Sequence, residues 1–326
     1  MKLPRRHFLH LAAGAVVTLS ASARVARAQG YPRRPVRMIV GFAAGGTTDI
    51  VTRLIGQWLS ERLGQQFITE NRPGANTIIA TEAGAQAPAD GYTLTIIGSG
   101  QVINESLYDR LTVKLNRDYT LVAGLNESPL VLEVHPAVPA NTVPEFIAYA
   151  KANPGKLTLA SFGTGSISHV AGELFKISTG TEMLHVPYRG SAPMLTDLLG
   201  GQVHAAFDVL PASIEHIRTR RLRVLATTSA SRAEALPNTP ALSEFLPGYE
   251  TSALLGVAAP KNTPTEIVDM LNKHINEGLA DPTIKARLAG LGGKPLILSP
   301  AAFSKLIADE VEKWGNVVRT AGIKPE

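Results

Sequence analysis

Val36-Arg37-Met38-Ile39-Val40-Gly41-Phe42-Ala43-Ala44-Gly45-Gly46-Thr47-Thr48-Asp49 decides how the rest of the chain is read. Residues 36–40 form a short apolar run of strand length. After Gly45-Gly46, the residues Ile50, Val51, Leu54, Ile55, Trp58, Leu59 and Leu63 recur with a 3.6-residue period. The segment therefore predicts a buried strand, a glycine- and threonine-rich loop, and an amphipathic helix. Thr47 or Thr48 is expected to cap that helix and Gly64 to end it.

The same alternation continues outward. Residues 67–70 predict a strand and residues 78–87 a helix. Pro88-Ala89-Asp90-Gly91 turns into a strand over 92–97. Thr142 and Pro144 cap and open a helix that stops near Asn153-Pro154-Gly155. Residues 157–160 predict another strand, followed by a Gly/Ser/Thr loop and a helix through Leu174-Phe175. Buried runs over 183–186, 203–207, 222–227 and 253–258 alternate with helical stretches. Beyond them the chain reads as helices over 264–279, 282–289 and 301–320. Strands alternating with helices predict an α/β fold with parallel sheets covered on both faces.

The N-terminus reads as an export signal rather than part of that fold. Lys2, Arg5 and Arg6 precede an apolar run over residues 8–19, and Ala26-Arg27-Ala28 offers small residues for cleavage after about Ala28. At roughly 12 residues the run is too short for a membrane span, which needs about 20. Arg5-Arg6 before His7-Phe8-Leu9 resembles a twin-arginine (Tat) signal; the other reading is an ordinary Sec signal. The chain carries 32 Lys and Arg against 27 Asp and Glu, a formal charge of +5. Residues 1–28 hold five of those cations and no acid, so the remainder is formally neutral. Charge thus supports neither nucleic-acid binding nor attraction to anionic lipid. With 0 cysteines there is no disulfide, thiolate nucleophile, cysteine-bound zinc or lipoprotein anchor. Roughly 300 remaining residues are enough for two domains stabilised by their cores alone.

Two strand-to-helix loops could carry chemistry. One is Phe42 to Asp49; the other is Ser161-Phe162-Gly163-Thr164-Gly165-Ser166-Ile167-Ser168-His169. Glycines let the backbone approach a ligand, and the following helix offers unpaired N–H groups at its positive end. Hydroxyls add donors, and such loops lie where ligands gather in open α/β sheets. The pair suits a small carboxylate; the plainer alternative is two short turns with capping hydroxyls. Enzyme signatures fail. Gly163-Thr164-Gly165 continues to Ser168 where a dinucleotide motif needs glycine, and no phosphate loop or nucleophile elbow is present. His135, His169, His185, His204, His216 and His274 make no close pair, so no metal site is expected. Ser168 and His169 are neighbours on a helix and do not face one another. No catalytic residue and no cofactor is expected.

Several motifs resemble the Bug family, the TctC-type substrate-binding proteins of tripartite tricarboxylate transporters. They are residues 40–49 with Arg53, Glu70-Asn71-Arg72-Pro73-Gly74-Ala75, Pro88-Ala89-Asp90-Gly91-Tyr92-Thr93-Leu94, His169 to Phe175, Val186-Pro187-Tyr188-Arg189-Gly190-Ser191-Ala192-Pro193, and Asp197 to Val203 with Phe207-Asp208. The resemblance spans the chain after residue 28. It implies a type II periplasmic binding protein fold, with two α/β lobes, two crossings and a ligand cleft between them. Residues 29–128 with 252–326 would form the first lobe and 129–251 the second. The resemblance implies a carboxylate clamp built largely from backbone N–H groups. Phe42, Ala44, Gly45, Gly46, Thr47 and Asp49 would come from one lobe, with Ser99 bordering the cleft. Thr164, Gly165, Ser166, Ser168, His169, Tyr188, Arg189 and Asp208 would come from the other.

Three of these keep two readings. Arg189 is a direct carboxylate partner or an interlobe structural residue. Asp208 faces a ligand amino or hydroxyl group or caps the next helix. Asp49 touches ligand or caps the first helix. Ala75-Asn76-Thr77-Ile78 departs from the family's glycine-rich continuation, and Val209 stands where a polar residue is frequent. The function implied is capture of a mono- or dicarboxylate by lobe closure. A monomer would then dock transiently on a permease of two integral membrane subunits. The alternatives are a receptor feeding a sensor kinase, or a periplasmic hydrolase using Ser166 or Ser168.

Overall fold

Val36, Met38, Ile39 and Val40 are all fully buried. In the computed structural model, which describes residues 30–108, 110–320 and 322–323, they form β1 (Val36–Val40). The export signal expected over residues 1–28 lies outside the described residues. β1 pairs in parallel with β2 (Phe67–Asn71) and β3 (Thr93–Gly98). α1 (Thr47–Leu63) covers this sheet with Val51, Ile55 and Leu59. Gly64 ends α1 in the left-handed conformation, φ 69°, as the sequence predicts. The threonines do not cap it: Gly46 is the N-cap, and no side chain bonds the first turn from that position.

The sheet's centre departs from the all-parallel expectation. β4 (Tyr119–Val134) runs for 16 residues through a stretch for which no element is predicted. Its first part pairs antiparallel with β9 (Ser252–Pro260), its last part with β7 (Ala205–Val209) and β8 (Arg223–Thr227). Pro129 sits opposite Ser252 at the last position of the first ladder, and Leu130 opens the second. A residue without an N–H is tolerated there because pairing changes hands at that point. Thr228 closes the junction. Its N–H donates to the Leu130 carbonyl at 2.9 Å, and its carbonyl accepts from the Thr251 N–H at 3.0 Å.

Beyond the junction, β5 (Thr158–Ser161) lies in parallel between β7 and β6 (Leu184–Pro187). The result is two half-sheets, each parallel at its outer strands, joined through β4 and β9. The predicted Thr142 cap is present: its hydroxyl accepts the Glu145 N–H at the start of α5 (Val143–Ala152). Three more helices anchor loops and strand ends. α2 (Ile78–Ala85) follows a short 3-10 turn, Ala75–Thr77. α3 (Ser99–Leu107) springs from the end of β3, and α6 (Ile167–Thr179) follows the central loop. No helix among the described residues is long and apolar enough to cross a membrane.

Candidate ligand-binding site

Two adjoining spaces open between the half-sheets. The inner one is narrow and lined by the first residues of three helices: Thr47 and Thr48 of α1, Ser99 and Gly100 of α3, and Ile167 of α6. First-turn N–H groups have no acceptor within their own helix, and each helix start carries partial positive charge. The remaining wall is largely apolar, including Phe42, Ile96, Phe162, Val209 and Leu254, and no charged side chain lines it. Three positive helix ends in a low-dielectric wall suit a carboxylate group on an apolar body. The outer space, about 400 Å³, is lined by Asn76, Tyr108, Thr164, Tyr188 and Arg189. Both spaces share Gly41, Phe42 and Phe162. Phe42 and Phe162 meet edge to face, ring centroids 5.6 Å apart, one from each side.

The two sides touch at several points. The Ala43 N–H donates to the Arg189 carbonyl at 3.3 Å. The Thr47 hydroxyl donates to the Val209 carbonyl at 3.4 Å. Gly46 faces Ser191 so closely that a Cβ on it would lie 3.5 Å from the serine Cβ.

The structure brings together only part of the predicted set. Phe42, Thr47 and Ser99 line the inner space; Thr164, Tyr188 and Arg189 line the outer one. Arg189 borders the outer space, and its backbone carbonyl makes the contact across the cleft. Ala44 and Gly45 are exposed and line neither space. The Gly45 N–H is spent on Asp49 Oδ2 at 3.0 Å. The Asp49 carboxylate also accepts from Arg53 twice, each at 2.9 Å, and from Asn71. Burial opposes its ionisation, but these donors outweigh it and hold the carboxyl below the usual aspartate range. Asp49 therefore ties the loop to α1 and does not line the cleft.

On the other side, four predicted residues build the wall from behind. Ser166 caps α6 by accepting the His169 N–H, and Ser168 donates to the Phe207 carbonyl. His169 Nδ1 accepts the Gly165 N–H at 3.1 Å, and its ring stacks on His185 at 4.0 Å. Gly165 itself takes φ 76°, and a Cβ there would strike Leu107 at 2.5 Å. Asp208 is fully buried and lines neither space. It accepts from Ser191 at 2.6 Å and from Ser213 at 3.1 Å. Burial pushes its carboxyl up to about 6. Asp208 sits on β7 opposite Val131 of β4 and shares the Ser213 hydroxyl with Glu133.

Sequence reasoning missed Asn76 and Thr77. Ala75, Asn76 and Thr77 have φ of 45°, 42° and 76°, three successive left-handed residues without a glycine. Their departure from the family's glycine-rich continuation was the only sign in the sequence. Ile96, Ile97, Leu254 and Leu255 were also missed, since apolar strand ends carry no chemical signature.

Two α/β lobes on crossing strands, with an uncharged cavity between helix starts, define a bilobal solute-binding protein. The family model of the tripartite tricarboxylate transporter family receptor matches residues 51–323, and the chain belongs to that family. Protein BugT of Bordetella pertussis is 37% identical over 314 residues, covering 95% of this chain and 96% of that protein. Among solved structures, R. palustris Rpa4515 with adipate superposes with TM-score 0.89 at 39% identity, covering 91% of this chain and 100% of that one. MatC (Rpa3494) from Rhodopseudomonas palustris with bound malate gives TM-score 0.84 at 30% identity, covering 88% and 100%. The Bug/TctC resemblance and the two-lobe α/β fold expected from the sequence are both borne out.

Proposed function

We propose that this chain captures a small carboxylate between its lobes and delivers it to a two-subunit membrane permease, as a monomer in the periplasm. The observation that carries this reading is the inner cavity, where three helix starts converge on a wall without a charged side chain. A carboxylate is favoured by the helix ends, and the apolar wall suits an aliphatic or aromatic body. Ligands of two relatives, adipate and malate, are of the same chemical class. We place the lobe boundaries at 128/129 and 251/252, supported by the change of pairing at Pro129 and the Thr228–Thr251 contact. Export by the signal in residues 1–28, with twin-arginine character and cleavage after about Ala28, completes the reading.

Binding without chemistry is supported by how the central loop is used. Ser168 donates to a backbone carbonyl, and Ser166 caps α6. The His169 ring nitrogens face Gly165 and Glu173 rather than either hydroxyl. Mass spectrometry of small molecules released when the exported protein is denatured should identify a carboxylate. A carboxylate panel should raise the melting temperature of refolded, ligand-free protein, since ligand at a hundredfold its Kd stabilises by about 2.7 kcal/mol. A folded, ligand-free protein that no carboxylate stabilises would sink the reading.

A further inference from the structure

Thr77 is 1% exposed, and its Oγ1 has no hydrogen-bond partner among the described residues. The residue lines the inner cavity beside Gly41, where a Cβ on that glycine would lie 2.6 Å from the Thr77 Cβ. Its neighbour Asn76 has a buried Oδ1 with no partner among the described residues. That oxygen stands between the two lobes, 3.4 Å from the Cβ position of Gly100 and 3.6 Å from that of Gly163.

The amide orientation follows from its partner. Asn104 Nδ2 donates to the Asn76 backbone carbonyl at 2.7 Å, which a carbonyl oxygen in that place could not do. Asn104 Oδ1 is therefore the acceptor toward Asn76, and Asn76 answers with its Nδ2 at 2.9 Å. Its Oδ1 is left as an acceptor aimed away from Asn104. One unmatched acceptor and one unmatched hydroxyl thus stand on successive residues at the cleft. Leaving such buried groups unpaired costs stability, and both sit on left-handed backbone that the surrounding structure must hold in place.

We infer that Asn76 and Thr77 select a carboxylate that also carries a hydroxyl group. A hydroxyl both donates and accepts, so it meets the need of the Asn76 Oδ1 acceptor or of the Thr77 proton, the two side chains closing on the Gly100 Cβ position at 3.4 and 3.8 Å. An ammonium group could also donate to Asn76, but it cannot accept from Thr77. No acidic side chain lines either space to neutralise it. The inference rests on the proposed carboxylate capture and names the second group of the ligand.

The test uses matched acids differing by one hydroxyl: malate with succinate, lactate with propionate, and mandelate with phenylacetate. Each is titrated calorimetrically into exported protein that has been unfolded, freed of ligand and refolded. In at least one pair the hydroxylated acid should bind about tenfold or more tightly, the scale of a hydrogen bond to an otherwise unpaired buried group. Thr77→Val keeps the β-branched shape and removes only the hydroxyl; Asn76→Gly removes the acceptor and suits the left-handed backbone. Urea unfolding confirms that both variants fold. Either substitution should bring the ratio within that pair toward one. A ratio near one in every pair for the unsubstituted protein, or a preference that survives both substitutions, overturns the inference while leaving carboxylate capture intact. Absence of binding by all six acids overturns the inference, and carboxylate capture falls with it only if the wider carboxylate panel also fails to stabilise the protein.

Discussion

A Cβ added to Gly41 would lie 2.6 Å from the Thr77 Cβ and 2.7 Å from its Cγ2, so these two residues fix each other's size. Gly41→Ala should destabilise the protein by about 1–3 kcal/mol, the usual cost of overpacking. The same substitution in a Thr77→Gly background should cost less, because the two closest atoms are gone and only the residue 77 Cα stays near, at 3.0 Å. Urea denaturation of the four proteins in that cycle measures the coupling, and additive effects would contradict the contact. The sequence marked the first loop's glycines as a place where backbone could approach a ligand. What Thr77 does was not legible, because a left-handed threonine and an unpaired hydroxyl are properties of the assembled site. Asp208 makes the same point: an acid at a strand end reads alike whether it faces a cleft or the core. Only its pairing opposite Val131 of β4 decides between them.

At the scale of elements, α1 and β4 each carry an ionisable group whose behaviour follows from packing. Asp49 anchors the first loop to α1 through Gly45, Arg53 and Asn71. Its carboxyl is held low, so its contribution is present above the ordinary aspartate range and is lost as pH falls through the lowered value. Asp49→Asn should cost about 1–2 kcal/mol near neutrality, the scale of charge-assisted hydrogen bonds, with the difference vanishing in acid. The pair between β4 and β7 has the opposite sign. Ser213 Oγ lies 2.9 Å from Glu133 Oε1 and 3.1 Å from Asp208 Oδ2, yet has one proton to give. One of the two acids must therefore hold a proton for both contacts to be hydrogen bonds. Burial, then the neighbouring Asp208, raises the Glu133 carboxyl well above the usual range, and burial raises Asp208 to about 6. Unfolded carboxyls ionise near pH 4, so this pair's contribution is full below that value and falls as pH rises through about 6. Glu133→Gln should unfold at higher urea than the parent at about pH 8 and close to it at about pH 5. A constant difference across that range would remove the pair from the pH dependence. The strand that carries Glu133 was itself illegible. Pro129 lies inside it, and a ladder that changes partners at that residue is what keeps the strand continuous.

For the whole molecule, the sequence disclosed the two lobes through motifs spaced along the chain, but not how the lobes meet. Contacts across the cleft depend on pairs such as Ala43 with Arg189 and Thr47 with Val209, each separated by more than a hundred residues. Gly46 separates folding from closure. Its φ of −82° is open to any residue, so a side chain there adds no backbone strain. A Cβ at that position would already stand 3.5 Å from the Ser191 Cβ and 3.6 Å from its hydroxyl. A longer side chain must then push the lobes apart or be squeezed between them. Gly46→Leu should therefore leave the melting temperature of ligand-free protein within a few degrees of the parent, while raising the Kd for its carboxylate at least about tenfold. Small-angle scattering should register the contraction on ligand addition in the parent and a reduced one in the variant. Full affinity with an unchanged contraction would mean that the lobes close without bringing Gly46 against Ser191. Capture would then rest on one lobe's loop alone, rather than on the meeting of helix starts from both.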